Sequence, residues 1–202
     1  MIGSPPPTQR VTVIRHGATE WSDAGRHTGR TDVPLTDEGR TQASALRACL
    51  ASGSVAAAFT SPLTRATETA ELAGFPNATP LHDLREWDYG AYEGRTTAGI
   101  RGERPGWFLW RDGVPEGETV EQVGARADAA LAAIRAAPGD VAVFAHGHLL
   151  RILTARWLGL DPAWGRSFAL GPATLSTLGY ERETPVILSW NVACVPDGPD
   201  VT

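Results

Sequence analysis

The sequence predicts an α/β fold, a three-layer α/β/α sandwich built around a mostly parallel central sheet. Short apolar runs alternate along the chain with longer segments that carry helix start and stop signals. Such alternation is typical of parallel sheets that are covered by helices on both faces. The length of 202 residues suits one large domain. We therefore predict a Pro-rich disordered tail over residues 1–9 and a single domain over residues 10–202.

Strands are predicted where a short apolar run is bounded by turn-forming or polar residues. The first three runs, RVTVIR, VAAAFT and VAVFAH, are almost continuously apolar, as expected for the interior of a parallel sheet. Two further runs near the C-terminus supply the last strands. The five predicted strands cover residues 10–15, 55–60, 141–146, 175–180 and 186–190.

Helices are predicted from their capping signals. Thr36 precedes two acidic residues and is a suitable N-cap. Ser61 followed by Pro62 predicts a second start, with serine as N-cap and proline at the first helical position. Thr119 with Gln122 forms a capping box for a third helix. The predicted helices cover residues 36–50, 61–73, 119–137 and 148–158.

Composition and charge exclude several classes of function. The formal net charge is −5, and all 18 basic residues are arginine, without the basic stripe of a nucleic-acid binder. No apolar run approaches the roughly 20 residues that span a bilayer. The N-terminus lacks the apolar region of a signal peptide, so we expect a cytoplasmic protein. Cys49 and Cys194 form no CxxC pair and no metal-ligand spacing, and we expect them to be reduced and without a role.

Polar groups that suit a phosphate follow three of the predicted strands. Arg15 and His16 end the first strand, Ser61 to Arg65 follow the second, and His146 ends the third. Because ligands of open α/β sheets bind at the carboxyl ends of the strands, we expect these side chains to converge. The helix predicted to start at Ser61 adds backbone N–H groups and the positive end of a helix dipole. The sequence therefore predicts an arginine- and histidine-lined phosphate site without a metal or a cofactor.

Other phosphate chemistries fit the sequence less well. It contains no GxxxxGK[ST] nucleotide-binding loop. Cys49 is followed six positions later by Val55 instead of arginine, which excludes a Cys-x5-Arg thiol phosphatase. His146 and His148 could be read as a metal pair, but residues two apart near a strand end usually point in different directions. We therefore predict no metal ligands.

A nucleophilic histidine fits the sequence better than these alternatives. A neutral imidazole carries a lone pair on one nitrogen, and its other N–H needs an acceptor that fixes the tautomer. Gly17 directly after His16 allows a tight turn that could supply a backbone carbonyl. A single histidine at a strand end is more often structural, and only its grouping with two arginines and His146 favours catalysis.

Five ordered sequence blocks resemble the histidine phosphatase superfamily, which has the phosphoglycerate mutase-like fold. They extend over residues 11 to 151, and the ordered set is far more specific than the first block alone. The stretch LREWDYGAYEGRTT is most similar to acid phosphatases and sedoheptulose-bisphosphatases of the superfamily. The blocks are RHGATEW at residues 15–21, RHTG with LTDEG at 26–39, SPLTRATETA at 61–70, LREWDYGAYEG at 84–94, and AHG at 145–147.

The resemblance implies a role for each matched residue. His16 would attack phosphorus and become phosphohistidine. Arg15, Arg65 and His146 would hold the phosphoryl oxygens, while Glu86 would protonate the leaving group and later activate water. Further positions would contact a small phosphorylated substrate, and the resemblance also allows a homodimer. These substrate-binding positions are Ser22, Thr28, Gly29, Tyr89, Gly147 and His148.

The departures from the family pattern favour a phosphatase over the alternative, a cofactor-dependent phosphoglycerate mutase. The mutases resemble this chain but carry asparagine at the position of Ser22, lysine at Thr97 and asparagine at His148. The groups that hold the second acidic end of phosphoglycerate are therefore depleted. We predict hydrolysis of small phosphate monoesters, with sugar phosphates as the expected class.

Residues 95–117 form a predicted insertion whose function the sequence leaves open. Its aromatic residues, with neighbouring Trp87 and Tyr89, could form a wall above the phosphate or pack the insertion against the domain. Its arginines could hold a second phosphate or lie on the surface of short helices. The residues concerned are Trp87, Tyr89, Tyr92, Trp107 and Trp110, and Arg95, Arg101, Arg104 and Arg111.

Overall fold

The computed structural model describes residues 8–51 and 55–194, which form strands and helices in alternation. The strands are β1 (Val11–Arg15), β2 (Val55–Thr60), β3 (Thr79–Pro80), β4 (Asp140–Ala145), β5 (Thr174–Glu181) and β6 (Thr184–Ala193). The helices are α1 (Glu20–Asp23), α2 (Asp37–Ala51), α3 (Thr64–Leu72), α4 (Thr97–Glu103), α5 (Leu109–Asp112), α6 (Val120–Ala136) and α7 (Gly147–Trp157). Short 3₁₀ turns lie at His82–Leu84, Gly90–Tyr92 and Pro162–Ser167.

The strands form one sheet in the order β3-β2-β4-β1-β5-β6. The pairs among β3, β2, β4 and β1 are parallel, whereas β5 and β6 are antiparallel to their neighbours. The parallel strands therefore end at one edge of the sheet. There the His16 amide donates to the Ala145 carbonyl at 3.0 Å, and the Ser61 amide donates to the Phe144 carbonyl at 2.9 Å. The predicted convergence of the first three strands is confirmed.

Helices cover both faces of the sheet, as the period-2 alternation of strand side chains requires. On one face, Val13 and Val143 pack with residues of α6 and α7. On the other face, Ile14 and Phe144 pack with residues of α2 and α3. These layers confirm the predicted sandwich with its mostly parallel sheet.

The capping signals predict two helix starts correctly and one incorrectly. Thr36 accepts the Gly39 amide at the start of α2, and Thr119 forms the predicted capping box with Gln122. The helix predicted to start at Ser61 corresponds to α3, which begins only at Thr64. The amide and hydroxyl of Thr64 both donate to Asp32. The carboxylate comes from a distant loop, which local sequence cannot indicate. The amide end of α3 is therefore capped by Asp32.

The cysteine prediction is wrong. Cys49 of α2 and Cys194, next to the end of β6, form a disulfide with a Cα–Cα distance of 6.1 Å. They are 145 positions apart in sequence. The pairing depends on where the chain end after β6 lies relative to α2, so no local spacing predicts it.

The predicted tail lies mostly on residues 1–7, which are outside the described part of the chain. Within the described part, Gln9 donates its side-chain amide to the carbonyls of Ile134 and Ala137 at the end of α6. The division into a tail and one domain stays a prediction. No helix formed by residues 8–51 and 55–194 is long and apolar enough to cross a bilayer.

Candidate active site

A cavity opens at the edge of the sheet where the parallel strands end. Most of the residues that the sequence singled out line it, whereas Arg65 and His146 lie fully buried behind it and Gly29 lines an adjacent, smaller cavity. The predicted lining residues are Arg15, His16, Ser22, Thr28, Glu86, Tyr89, Gly147 and His148, and they are joined by Arg26, His27, Arg151 and Leu170.

His16 is held in one tautomer by its own turn. Its Nδ1 lies 2.7 Å from the carbonyl oxygen of Gly17. Because a carbonyl can only accept, Nδ1 carries the proton and Nε2 keeps the lone pair. Burial lowers the pKa of His16 well below its ordinary value near 6.5, and the positive charges of Arg65 and Arg15 lower it further. The ring is therefore neutral at neutral pH, with the lone pair of Nε2 available.

The two arginines of the site differ in how many donors they have left. Arg65 spends four of its N–H groups on protein acceptors, namely His146 and the carbonyls of Thr31, Thr28 and Gly29. Arg15 donates from Nη1 to the Leu170 carbonyl at 2.6 Å, and its buried Nε has no partner among the described residues. Of these two, Arg15 is the guanidinium with donors available to an anion in the cavity, which Arg26 and Arg151 also line.

His146 is fixed between Arg65 and Ser61. Arg65 Nε donates to its Nδ1 at 3.2 Å, so the ring proton lies on Nε2 and is donated to Ser61 Oγ at 2.7 Å. Burial lowers the pKa of His146 well below 6.5, and the charge of Arg65 lowers it further. Its ring centroid lies 5.2 Å from that of His16. Ser61, predicted as a helix cap, instead orients this histidine.

Glu86 occupies the amide end of α7. Its Oε1 accepts the amides of Trp87 and Leu149, both at 2.9 Å, and its Oε2 accepts the amide of His148 at 3.0 Å. A carboxylate at a helix N-terminus is stabilised by the unpaired amides and by the helix dipole. The helix end at this site is therefore that of α7, and it holds a carboxylate of the protein itself.

Tyr89 and His148 form a hydrogen-bonded pair on the cavity wall, with 2.6 Å between the hydroxyl oxygen and Nδ1. Burial raises the pKa of Tyr89 well above 10 and lowers that of His148 well below 6.5, so both are neutral. His27 packs beside Tyr89, and burial lowers its pKa to about 4. This wall is polar but uncharged.

The remaining predicted substrate-contact positions support the structure around the cavity. Ser22 closes the capping box of α1 with Thr19. The Thr28 carbonyl accepts from Arg65 at 3.2 Å. A Cβ added at Gly29 would fall 2.5 Å from the Trp87 carbonyl oxygen, and one at Gly147 would touch the Arg15 guanidinium at 3.4 Å. Gly29 therefore permits a close approach that a side chain would block, whereas a Cβ at Gly147 would make only ordinary van der Waals contact.

The insertion at residues 95–117 packs its tryptophans into the core and contributes no arginine to the cavity. The arginines that line the cavity come from other segments of the chain. Trp87, Trp107 and Trp110 are buried in the core, and of the aromatic set only Tyr89 lines the cavity formed by the described residues. Arg95 pairs with Glu103 and Arg111 with Asp112, so neither reaches the cavity. Sequence reasoning missed the lining residues Arg26 and Arg151. Arg26 lay within a recognised block and could have been found; Arg151 had no comparable signal.

His146 and His148 point to different partners, Ser61 with Arg65 in one case and Tyr89 in the other. The described residues contain no group of three or more His, Cys, Asp or Glu side chains that could hold a metal ion.

Comparisons with known proteins agree with this geometry. A family model for the histidine phosphatase superfamily (branch 1) matches residues 11–193. An acid phosphatase of Mycobacterium tuberculosis is 43% identical over 177 residues, which cover 86% of this chain and 87% of that protein. A sedoheptulose 1,7-bisphosphatase of Saccharomyces cerevisiae is 40% identical over 187 residues, covering 76% of this chain and 69% of that protein.

A solved structure gives the same result in three dimensions. A mycobacterial glucosyl-3-phosphoglycerate phosphatase superposes with a TM-score of 0.82 at 30% identity, covering 91% of this chain and 99% of that one. The family that the sequence blocks predicted is confirmed. The chain therefore belongs to the histidine phosphatase superfamily and is a phosphoric monoester hydrolase.

Proposed function

We propose that this histidine phosphatase hydrolyses small phosphate monoesters, with sugar phosphates as the class, through a phosphohistidine on His16. The observation that carries the proposal is the Nδ1–H···O bond from His16 to Gly17, which leaves the Nε2 lone pair as the nucleophile. Two of the similar proteins are named for phosphorylated sugar substrates. The polar, uncharged wall of Tyr89, His148 and His27 suits a hydroxylated substrate.

In the first step, the phosphoryl group moves from the ester oxygen to His16 Nε2. The P–O bond breaks as the N–P bond forms, and the departing oxygen takes a proton from Glu86. Arg15 offers its free N–H groups to the phosphoryl oxygens. Arg65 supplies positive charge from behind the cavity, and neutral His146 offers the Nε2–H group that it now donates to Ser61.

In the second step, water attacks phosphorus, the N–P bond breaks and Glu86 takes the proton of the water, releasing inorganic phosphate. The hydrogen bonds of Glu86 indicate which oxygen handles the proton. Oε1 accepts two amides and Oε2 accepts one, so Oε2 is the oxygen with a free lone pair.

Phosphatase and mutase activity can be compared directly. We expect phosphate release from an aryl phosphate to exceed isomerisation of 3-phosphoglycerate, because Thr97 and His148 stand where mutases carry lysine and asparagine. Thr97 contacts His27 at 3.4 Å and His148 is committed to Tyr89, so neither supplies a cation. A panel of sugar mono- and bisphosphates assayed for released phosphate identifies the preferred class. Isomerisation that is faster by orders of magnitude would make the reaction class wrong.

Exhaustive chelation with EDTA is expected to leave phosphatase activity unchanged. The proposed mechanism takes its positive charge from Arg15 and Arg65 and its nucleophile from His16. The measurement is the hydrolysis rate of an aryl phosphate before and after chelation and dialysis. If activity disappears and returns with zinc or magnesium, the mechanism is wrong and a metal pair at His146 and His148 becomes the better hypothesis.

The cytoplasmic location and the homodimer stay predictions, as does the absence of nucleic-acid partners. The Cys49–Cys194 disulfide removes the argument for a reducing compartment, since disulfides persist mainly in oxidising surroundings.

Size-exclusion chromatography with light scattering measures the oligomeric state and tests the homodimer prediction.

A further inference from the structure

Arg126 of α6 binds the backbone of the segment that carries Glu86. Its Nη1 donates to the carbonyls of Asp83 and Arg85, both at 2.8 Å, and its Nη2 donates to the carbonyl of Glu86 at 3.2 Å. One guanidinium thus contacts three carbonyls within four residues. Such a contact needs the planar fork of arginine and cannot be made by a single ammonium group.

Glu118 holds the other side of this guanidinium. Its Oε1 accepts from Arg126 Nε at 2.6 Å, and its Oε2 accepts from Nη2 at 2.8 Å, which makes the pair bidentate. The side chains of Arg126 and Glu118 are only 15% and 21% exposed, so water screens the pair weakly.

Glu118 also binds the residues that follow Glu86. Its Oε2 accepts the Asp88 amide at 2.9 Å, and its carbonyl accepts the indole N–H of Trp87 at 2.8 Å. The Glu118 amide in turn donates to the Asp88 carbonyl at 3.0 Å. Backbone groups on both sides of Glu86 are therefore tied to one ion pair at the start of α6.

We propose that Arg126 and Glu118 are positioning residues that fix the Glu86 carboxyl for proton transfer. The inference rests on the proposed function, because it assumes that Glu86 is the proton donor. Neither residue lines the cavity that holds His16; both lie behind Glu86, where they line the smaller cavity next to it. Displacement of a reacting group by about 1 Å can cost on the order of 100-fold in rate, which gives such a support a direct effect on catalysis.

The test is the substitution Arg126→Lys, which keeps the charge but removes the fork. We expect it to lower kcat for an alkyl phosphate by about 10- to 100-fold, with a smaller loss for an aryl phosphate that needs less protonation. KM should change little, since Arg126 is not expected to touch substrate. Burial and then Arg65 lower the pKa of His146 most, and the charge of Arg126 also contributes to that shift. Lysine would preserve that influence, so full retention of the alkyl-phosphate rate would overturn the proposal.

Arg156→Lys is the matched control. Arg156 also forms a bidentate pair between α7 and α6, donating to Asp128 at 2.9 and 3.0 Å, and also contacts a backbone carbonyl, that of Leu160. It makes none of the contacts to residues 83–88. We expect the ratio of alkyl to aryl rates to be unchanged in this variant. An equal change in both variants would assign Arg126 to general stability and end the proposal.

Two further variants separate this inference from the proposed function. Adding Arg126→Lys to Glu86→Gln should not change the alkyl-to-aryl ratio further, because the group that it positions is already absent. If Glu86→Gln by itself has no effect on that ratio, the proton-donor assignment fails and the positioning role fails with it. If Glu86→Gln changes the ratio and Arg126→Lys does not, only the positioning role fails.

Glu118→Gln, which removes the bidentate acceptor of Arg126, is the substitute variant if Arg126→Lys does not fold. The readout is again the ratio of alkyl to aryl rates.

Discussion

Replacement of His16 by alanine is expected to lower phosphatase turnover by about 10⁴-fold or more, because the nucleophile that forms the covalent intermediate is lost and no phosphohistidine remains for water to hydrolyse. The unsubstituted protein, mixed briefly with ³²P-labelled substrate, should carry label on His16. Phosphohistidine is labile in acid and stable in base, so the label should disappear on acid treatment. The His16→Ala variant should remain unlabelled.

His82→Ala is the control for this experiment. His82 is exposed on the 3₁₀ turn His82–Leu84, outside the cavity, and the same substitution there should change neither turnover nor labelling. Label that survives acid, or that persists in His16→Ala, would falsify the nucleophile assignment.

Glu86→Gln is expected to slow hydrolysis of alkyl phosphates by about 10²- to 10⁴-fold and that of aryl phosphates much less in the first step. An alkoxide is a poor leaving group and needs a proton in the transition state, whereas an aryl oxide leaves more readily. The same carboxyl must later activate water. With an aryl phosphate, the variant should therefore release phenol in a rapid burst and then turn over slowly as phosphoenzyme accumulates.

Glu86→Gln also disturbs the hydrogen bonds of the Glu86 side chain, and a matched substitution controls for that effect. Glutamine places an amide nitrogen against one of the three backbone N–H groups that Glu86 now accepts, so some loss of stability is expected as well. Glu93→Gln is a matched change, since Glu93 Oε1 also accepts two backbone amides, those of Gly29 and Thr31, outside the cavity. It should lower thermal stability without leaving-group dependence.

Equal slowing of both substrates by Glu86→Gln, with no burst, would move the proton-donor role to another carboxylate. The neighbouring candidates are Asp83, Asp88 and Glu93. None of them lines the cavity formed by the described residues, and Asp88 is paired with Arg30 at 2.7 Å. Of these four carboxylates, Glu86 alone lines the cavity that holds His16.

Local signals in the sequence account for much of the fold. The strand that precedes His16, the helix after Thr36 and the capping box at Thr119 depend on interactions within a few residues, and all three are confirmed. The Gly17 turn is local in the same way, since the carbonyl that fixes the tautomer of His16 belongs to the next residue. Such features can be predicted because sequence neighbours are always neighbours in space.

Contacts between residues far apart in the sequence decided the features that the sequence did not predict. Asp32 caps α3 in place of Ser61, Ser61 binds His146, and Cys49 binds Cys194 across 145 positions. Each pairing depends on which strands are adjacent, and the order β3-β2-β4-β1-β5-β6 cannot be deduced from where each strand begins and ends.

The sequence alone determined the family, the sandwich fold and the three strands that His16, Arg65 and His146 follow. Only the tertiary structure decided which donors remain free, because that depends on every acceptor within reach. It left Arg15 with an unpartnered Nε, tied Arg65 to the loop at residues 28–31, and brought Arg126 and Glu118 behind Glu86. Hydrogen-bonding capacity is a property of the assembled site, since a side chain carries the same donors everywhere and its packing determines which of them are already used.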